Sequence, residues 1–547
     1  MRAPHVFPLL DTSRRERTVF CALAVALVLL RGFVATSYEG FFFDSDQAIV
    51  GLMARRLSSF REFPLFYYGL NYLLAVEAWI ITPFFWIARS SVTVMRLPFV
   101  ALNAMTAVWL VTALTESLRL RPALAFVAAL PFVIPTPAAA NHLLELAGAC
   151  VEPFIYVLVL WKLRRRPLAF GALLAVAYLH REFAIFAVPA LVLAEWRRLM
   201  PLSRSTVTLA AWSAAGFAAV WLIVDDVKMH LAGGTLALQV ASLRGHVCLD
   251  RAELIRHARA LLTEALPALY GARPMLLSAF RMNSPIATGW PIVGWMVLAT
   301  FIVVLVRIAG RSFPVARGFQ TRERGPERAA PHSERAAPHS ERAAPHSERA
   351  APHSERAAPH SGAAPDPGAG TSSGHDSLAR YLAWVGAFTA CAYPLSCNTG
   401  PGSLPLFRYL LLALLLPIGI AADFFQRERS ALLRRVVASV FVLWASANLF
   451  DNVRVVRAAV ADPPGSEHRV LVEHLLEQRI RYARAIYWDA YVVDFLSRER
   501  VIAASVDVIR IPDYQKDVDE HAAAAVMLER LPCQGRERVA SWCIQRP

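Results

Sequence analysis

Three acids, Asp44, Asp46 and Glu77, fall within one stretch of residues 41–77, FFFDSDQAIVGLMARRLSSFREFPLFYYGLNYLLAVE. A carboxylate within hydrogen-bond reach of a hydroxyl can take its proton, and partial burial raises its affinity for that proton. Asp46 opens a helical pattern that can hold it rigidly, so it is the candidate general base. Asp44 is placed to bind substrate, ligate a cation or share a proton; equally, it or Ser45 is placed to cap the helix. Glu77 is a candidate for binding a substrate hydroxyl or for pairing with Arg56 or Arg61. Glu62, among polar neighbours, reads as a solvated surface acid. The aromatic cluster Phe63, Phe66, Tyr67 and Tyr68 follows, and Tyr67, Tyr68 and Asn71 are candidate substrate contacts.

The elements that must hold these residues are set by hydropathy. The chain is 56% hydrophobic and 18% charged, with a mean hydropathy of +0.41. Its apolar residues gather in long runs separated by arginine-rich joints, the pattern of a polytopic helical membrane protein of about 10–12 spans. The net charge of +15 sits mostly at the ends of those runs, where it sets topology and does not mark a nucleic-acid surface. The first span covers about 18–36, with Arg31 near its outer end. The pattern predicts an interfacial helix from Asp46 to Leu57, carrying Ile49, Leu52, Met53 and Leu57 on one stripe. A second span is expected over 72–87 and a third over 92–111. Region 121–162 reads either as two full helices or as one span plus a broken or surface helix, with His142 and Glu145 between its apolar pieces. WKLRRRP, at Trp161 to Pro167, belongs to the cytoplasmic side.

Beyond it, further spans carry the polar motif His180-Arg181-Glu182 and a loop, 225–287, to the outer side. Residues 307–379 are expected to be a disordered cytoplasmic insert. They contain five consecutive copies of ERAAPHS, from Glu327 to Ser361; the recurrent proline excludes a coiled coil. Helices over 380–450 follow, with Arg408 and Tyr409 at the outer end of one of them. Residues 451–547 read as a small extracytoplasmic α/β segment, with a helix over 470–478 and strand-like VIAASVDVIRI. Cys533 and Cys543 lie there; their spacing permits a bridge without requiring one. The acidic loop, the His-Arg-Glu motif, loop 225–287, Arg408, Tyr409 and the C-terminal segment thus share one side.

Arg181 can hold a phosphate, with His180 donating and Glu182 orienting. Arg408 and Tyr409 are placed to grip a lipid phosphate, although an arginine at a span end also snorkels without any ligand. Two arginines at separate interfacial points suggest a lipid-borne phosphate or diphosphate, a leaving group that needs no protonation. One base would then suffice for glycosyl transfer by in-line displacement with inversion, unlike hydrolytic glycosidases with their two carboxyl groups.

In these motifs and their order the sequence resembles the GT-C class of membrane glycosyltransferases, specifically bacterial relatives of protein O-mannosyltransferases and the aminoarabinose transferase of lipid A. FFFDSDQAIVGLMARRL resembles their acidic pair after the first span, with Asp46-Gln47 on the pair, so that Gln47 replaces the second acid. FPLFYYGLNYLLAVEAW, His180-Arg181-Glu182, RYLLLALLLP and IYWDAYVVDFLSRERVIAAS resemble later family segments. The resemblance implies a GT-C-like transmembrane module over 1–306 with its catalytic loop at 37–72. It implies a polyprenyl-phosphate sugar donor, a lipid, polysaccharide or protein acceptor, and an active site facing the periplasm of a bacterial inner membrane. Some members need a divalent cation such as Mg or Mn and others do not. A lipid or saccharide transporter or flippase, an oligosaccharide ligase or polymerase, and a nonenzymatic assembly protein are the competing readings; no internal inverted repeat of the transporter kind is evident.

Overall fold

A computed structural model describes residues 8–147, 151–200, 203–231, 247–277, 286–312, 377–397, 404–533 and 537–547. Most of insert 307–379 and parts of loop 225–287 lie outside the described residues, as do the side chains of Asn71 and Arg408. Among the described residues, six helices are long and apolar enough to cross a bilayer: 14–37, 92–118, 204–230, 291–308, 409–427 and 431–461. Several turn large apolar side chains outward, as at Leu222, Ile223, Ile302 and Val306, which only lipid solvates at low cost. The chain is a multi-pass membrane protein with a mostly helical body and a small C-terminal α/β unit.

The first helix, α1 (Pro8–Ser37), leads into α2 (Ser45–Ser58), close to the helix expected over 46–57. The span expected over 72–87 is corrected. The chain there forms a short antiparallel hairpin, β1 (Phe66–Tyr67) and β2 (Leu70–Leu74), followed by α3 (Val76–Ile87). The twelve residues of α3, about 18 Å, fall short of the ~30 Å apolar core of a bilayer, as do those of other short apolar helices of the body; direction decides its place. It lies beside α2 and runs in the same direction: Thr82 Oγ1 reaches Ala54 O at 3.5 Å and Trp86 Nε1 donates to Ser58 O at 2.8 Å. Trp79, Trp86 and Ile87 are exposed along it, as expected of an aromatic-rich helix at a membrane interface. Hydropathy alone does not separate such a helix from a span.

With α3 interfacial, α4 (Val92–Leu118) is the helix that returns antiparallel to α1. Arg31 Nη2 donates to Asn103 Oδ1 at 2.8 Å, and Arg17 pairs with Glu116 at 2.6 Å. Region 121–162 then resolves into α5 (Pro122–Val133), a single turn and a half of α6 (Pro137–His142), and α7 (Glu152–Leu163). The end of α5 meets the start of α7, with the Phe132 and Phe154 ring centroids 5.0 Å apart. Two short antiparallel helices restore the parity that brings Arg164–Arg166 to the side of Arg17. Next, α8 (Pro167–His180) runs to the acidic side, and α9 (Ala187–Ala194) comes back, where Glu195 meets Arg164 at 2.9 Å.

Cross-contacts sort the remaining joints onto the same two faces. Arg307 meets Glu428 at 3.5 Å on the arginine-rich face. On the other, Gly289 N donates to Asp451 Oδ2 at 2.7 Å, and Cys248 is bridged to Cys397. The C-terminal unit follows the Ala431–Ala461 helix on that second face. Its five-stranded sheet has the order 502–505, 482–485, 526–530, 542–545, 537–539, the first three parallel and the last two antiparallel to their neighbours. Only Ile502–Ser505 of VIAASVDVIRI is strand, and the predicted helix spans Glu467–Glu477. Cys533 and Cys543 are bridged.

Candidate functional site

Asp44 has extended backbone, and its carboxylate accepts from Gln47 N at 3.1 Å, so it caps α2. This is the structural alternative for Asp44. Asp46 lies in the first turn of the helix, half-buried. Its carboxylate accepts a hydrogen bond from the Tyr487 hydroxyl of the C-terminal unit, and its backbone carbonyl accepts from the Tyr67 hydroxyl at 2.9 Å.

Behind this turn stands Arg96, fully buried on α4. It donates to the carbonyls of Ala35, Phe41 and Phe42 and, at 3.1 Å, to Gln47 Oε1. Gln47 Nε2 in turn donates to Phe42 O at 2.7 Å. Phe42 is held at φ +49°, a left-handed conformation that a phenylalanine adopts only under such constraint. An amide is the side chain suited to position 47: it accepts from the guanidinium and donates to the carbonyl, whereas a carboxylate only accepts.

A second cluster forms where α3, α7 and the end of α8 meet. Glu77 is buried; its Oε1 accepts from Arg181 and its Oε2 from Ala147 N at 2.9 Å. It does not meet Arg56, which pairs with Glu62 at 2.5 Å and with Glu499 at 3.4 Å. Glu62 is therefore bridged, also accepting from the Tyr68 hydroxyl. His180 Nδ1 lies 2.8 Å from the Tyr156 hydroxyl. Glu77, Glu152 and His180 each present a ligand atom within 4.8 Å of the others, and all three are buried. A narrow gap of about 10 Å³, lined by Val50, Met53, Tyr67, Glu77, His180 and Arg181, lies between this cluster and α2. Tyr67, bonded to the Asp46 carbonyl, also lines this gap.

No family profile and no curated protein matches the chain.

The buried cluster is a candidate divalent-cation site on its own chemistry. Two carboxylates and one imidazole form the nitrogen and oxygen donor set that zinc and manganese accept. Glu182 stands apart from it: together with Arg510 and Tyr409 it faces Tyr72, whose hydroxyl is pushed up by burial and then by the Glu182 charge. Tyr409 reaches this face through its ring contact with Phe183, centroids 5.6 Å apart. The structure therefore draws Asp44, Asp46, Tyr67, Glu77, His180, Arg181, Glu182 and Tyr409 to one face. It commits Asp44, Tyr68 and Arg181 to protein partners. The sequence reading missed Glu152, Tyr156, Arg96 and Tyr487. For Glu152 a signal existed, since it is a lone acid opening the apolar run EPFIYVLVLW, and acids in such places are rarely idle.

Proposed function

We propose that the protein is a membrane glycosyltransferase that moves a sugar from a polyprenyl-phosphate donor to a hydroxyl acceptor on the face opposite the arginine-rich joints, with inversion. One observation carries the reading. The half-buried Asp46 opens a rigid helix on the face that gathers the other acids, the tyrosines and the C-terminal unit, and arginine-rich joints occupy the opposite face. By the charge rule that opposite face is cytoplasmic, which puts Asp46 on the outer side.

In the reaction Asp46 accepts the proton of the acceptor hydroxyl as its oxygen bonds to the anomeric carbon. The bond from that carbon to the phosphate oxygen breaks on the other side, and the electron pair leaves with the lipid phosphate. Capping by Asp44 and the Arg96–Gln47–Phe42 contacts fix the turn that presents Asp46. Glu77, Glu152 and His180 would hold a divalent cation, which when bound supplies positive charge for a phosphate. Uptake of Mn²⁺ by the purified protein, weakened at least tenfold in Glu152→Gln, tests that part without reference to turnover.

The decisive experiment incubates membranes with a panel of polyprenyl-phosphate sugars and follows free lipid phosphate by mass spectrometry, for the wild type and Asp46→Asn. Release that depends on Asp46 supports the reading, and release unaffected by the substitution refutes it. Lipid or saccharide transport is the second reading, favoured by the buried Glu77–Arg181 pair between short helices. It predicts substrate movement without bond cleavage and unaltered by Asp46→Asn.

A further inference from the structure

The C-terminal unit makes its closest polar contact with the body at the catalytic turn. The Tyr487 hydroxyl donates to the Asp46 carboxylate, and the Ser45 hydroxyl donates to Tyr487 O at 2.5 Å. Tyr487 opens the helix Tyr487–Ser497, and its backbone N–H donates to Asp507 Oδ1 at 2.6 Å. Two residues on, Asp489 is completely buried. It accepts from Arg530 Nε at 2.8 Å, from Trp542 Nε1 at 3.1 Å and meets His468 Nε2 at 2.8 Å. The first turn that carries Tyr487 is therefore fastened to the sheet.

The docking is fastened as well. Arg469 grips Glu39 with two hydrogen bonds, at 3.0 and 2.6 Å, and Arg55 Nη2 donates to Phe495 O at 2.8 Å. Gly40 and Gly51 are places where a side chain would collide, with the Gly465 carbonyl and the Phe495 ring respectively. The body and this unit are packed too closely at both positions to admit a side chain.

We infer that Tyr487 is a positioning residue for Asp46, so that the C-terminal unit completes the active site; this rests on the proposed role of Asp46 as base. A hydroxyl donor on one carboxylate oxygen fixes the orientation of the group and leaves the other oxygen open to the acceptor. Tyr487 keeps its proton, because burial and then the Asp46 charge hold its hydroxyl well above the ordinary range. The other charged or titratable groups facing this turn are Asp44 on α2 itself, Tyr67 on the hairpin, Glu77 on α3 turned to Arg181, Arg96 on α4, Asp494 on the docked helix, and Arg510, whose guanidinium lies 5.8 Å from the Tyr487 ring centroid. None of these bonds to the Asp46 carboxylate in place of Tyr487.

The test uses the full-length protein and the Tyr487→Phe variant. A base no longer held in place lowers kcat about tenfold while KM is unchanged. Tyr514→Phe is the control. It deletes a hydroxyl from the same unit, one that donates to Glu499 at 2.6 Å, and should leave kcat where it was. An unchanged kcat in Tyr487→Phe overturns the inference. If the wild type releases no lipid phosphate from any donor, the glycosyltransferase reading fails instead. The contact is then judged by thermal unfolding of Asp46→Asn, Tyr487→Phe and the double variant: non-additive shifts support the positioning contact and additive shifts overturn it.

Discussion

Asp46 and Glu77 come from the same acidic stretch, yet the fold treats them in opposite ways. Asp46 stays half-buried, with the Tyr487 hydroxyl on its carboxylate. Glu77 is closed over by a guanidinium, a backbone amide and two further ligand-type side chains. An acid that is to take a proton from a substrate must keep a route to it. An acid that holds charge for the architecture or for a cation must be neutralised on every side, because an unpaired buried charge is costly. Spacing along the chain says nothing of which fate applies; the partners brought by distant helices decide it.

The comparison breaks most sharply at Asp46. Asp46→Asn keeps the shape of the turn and removes the proton acceptor, so the protein should fold, insert and lose turnover by about 10²–10⁴-fold. Wild-type stability with wild-type sugar transfer would make the two acids equivalent and undo the distinction. At Glu77 the expected loss is of stability. Glu77→Ala leaves the Arg181 guanidinium buried without its carboxylate, at about 3–5 kcal/mol, read as a lowered unfolding temperature in detergent. Replacing both partners, Glu77→Met with Arg181→Met, should recover much of that loss while abolishing any cation uptake by the cluster.

Much of the architecture was legible in the sequence. The helix opened by Asp46 lies almost where its apolar stripe sets it, and the arginine-rich joints do share a face. The α/β character of the C-terminal unit was visible in its Val and Ile runs. The error at 72–87 has a physical source: apolar content reports that a segment avoids water, and a short aromatic helix lying in an interface avoids it as well as a span does. The site was legible only where it is local. Asp44, Asp46 and Glu77 stand within one stretch, whereas Tyr487 and Asp46 are 441 positions apart, and Glu152 meets His180 only after α7 and α8 have folded back. The Cys248–Cys397 bridge, 149 positions long, is equally invisible to spacing.

A smaller effect separates the fastening of the C-terminal unit from the open acid it serves. Burial alone would raise the affinity of Asp489 for a proton. The hydrogen bonds from Arg530, His468 and Trp542 outweigh burial and hold the carboxyl well below the usual carboxylate range. A depressed folded pKa contributes stability that is fully present above the unfolded value, near 4, and is lost as pH falls through the folded value. The unit should therefore loosen in acid below about pH 4, and Asp489→Asn should be less stable at neutral pH and nearly insensitive over that acid window. Intrinsic fluorescence of Trp542, packed 4.7 Å from the His468 ring, reports it.

The least expected change is at Asp44, and it sharpens the contrast between binding and building. Its carboxylate accepts from Gln47 N at the head of α2. Asparagine and serine also cap helices, so Asp44→Asn should cost only a few tenths of a kcal/mol and Asp44→Ala about 1 kcal/mol. If Asp44 acts only through the cap, turnover should follow stability across the series Asp, Asn, Ser, Ala. A cation ligand or shared-proton partner behaves differently: Asn would then be nearly as damaging as Ala, because the charge is what has been removed. Unfolding temperature and lipid phosphate release measured on the same four proteins separate the two roles. A large loss of turnover in Asp44→Asn at unchanged stability would move Asp44 from the frame of the site into its chemistry.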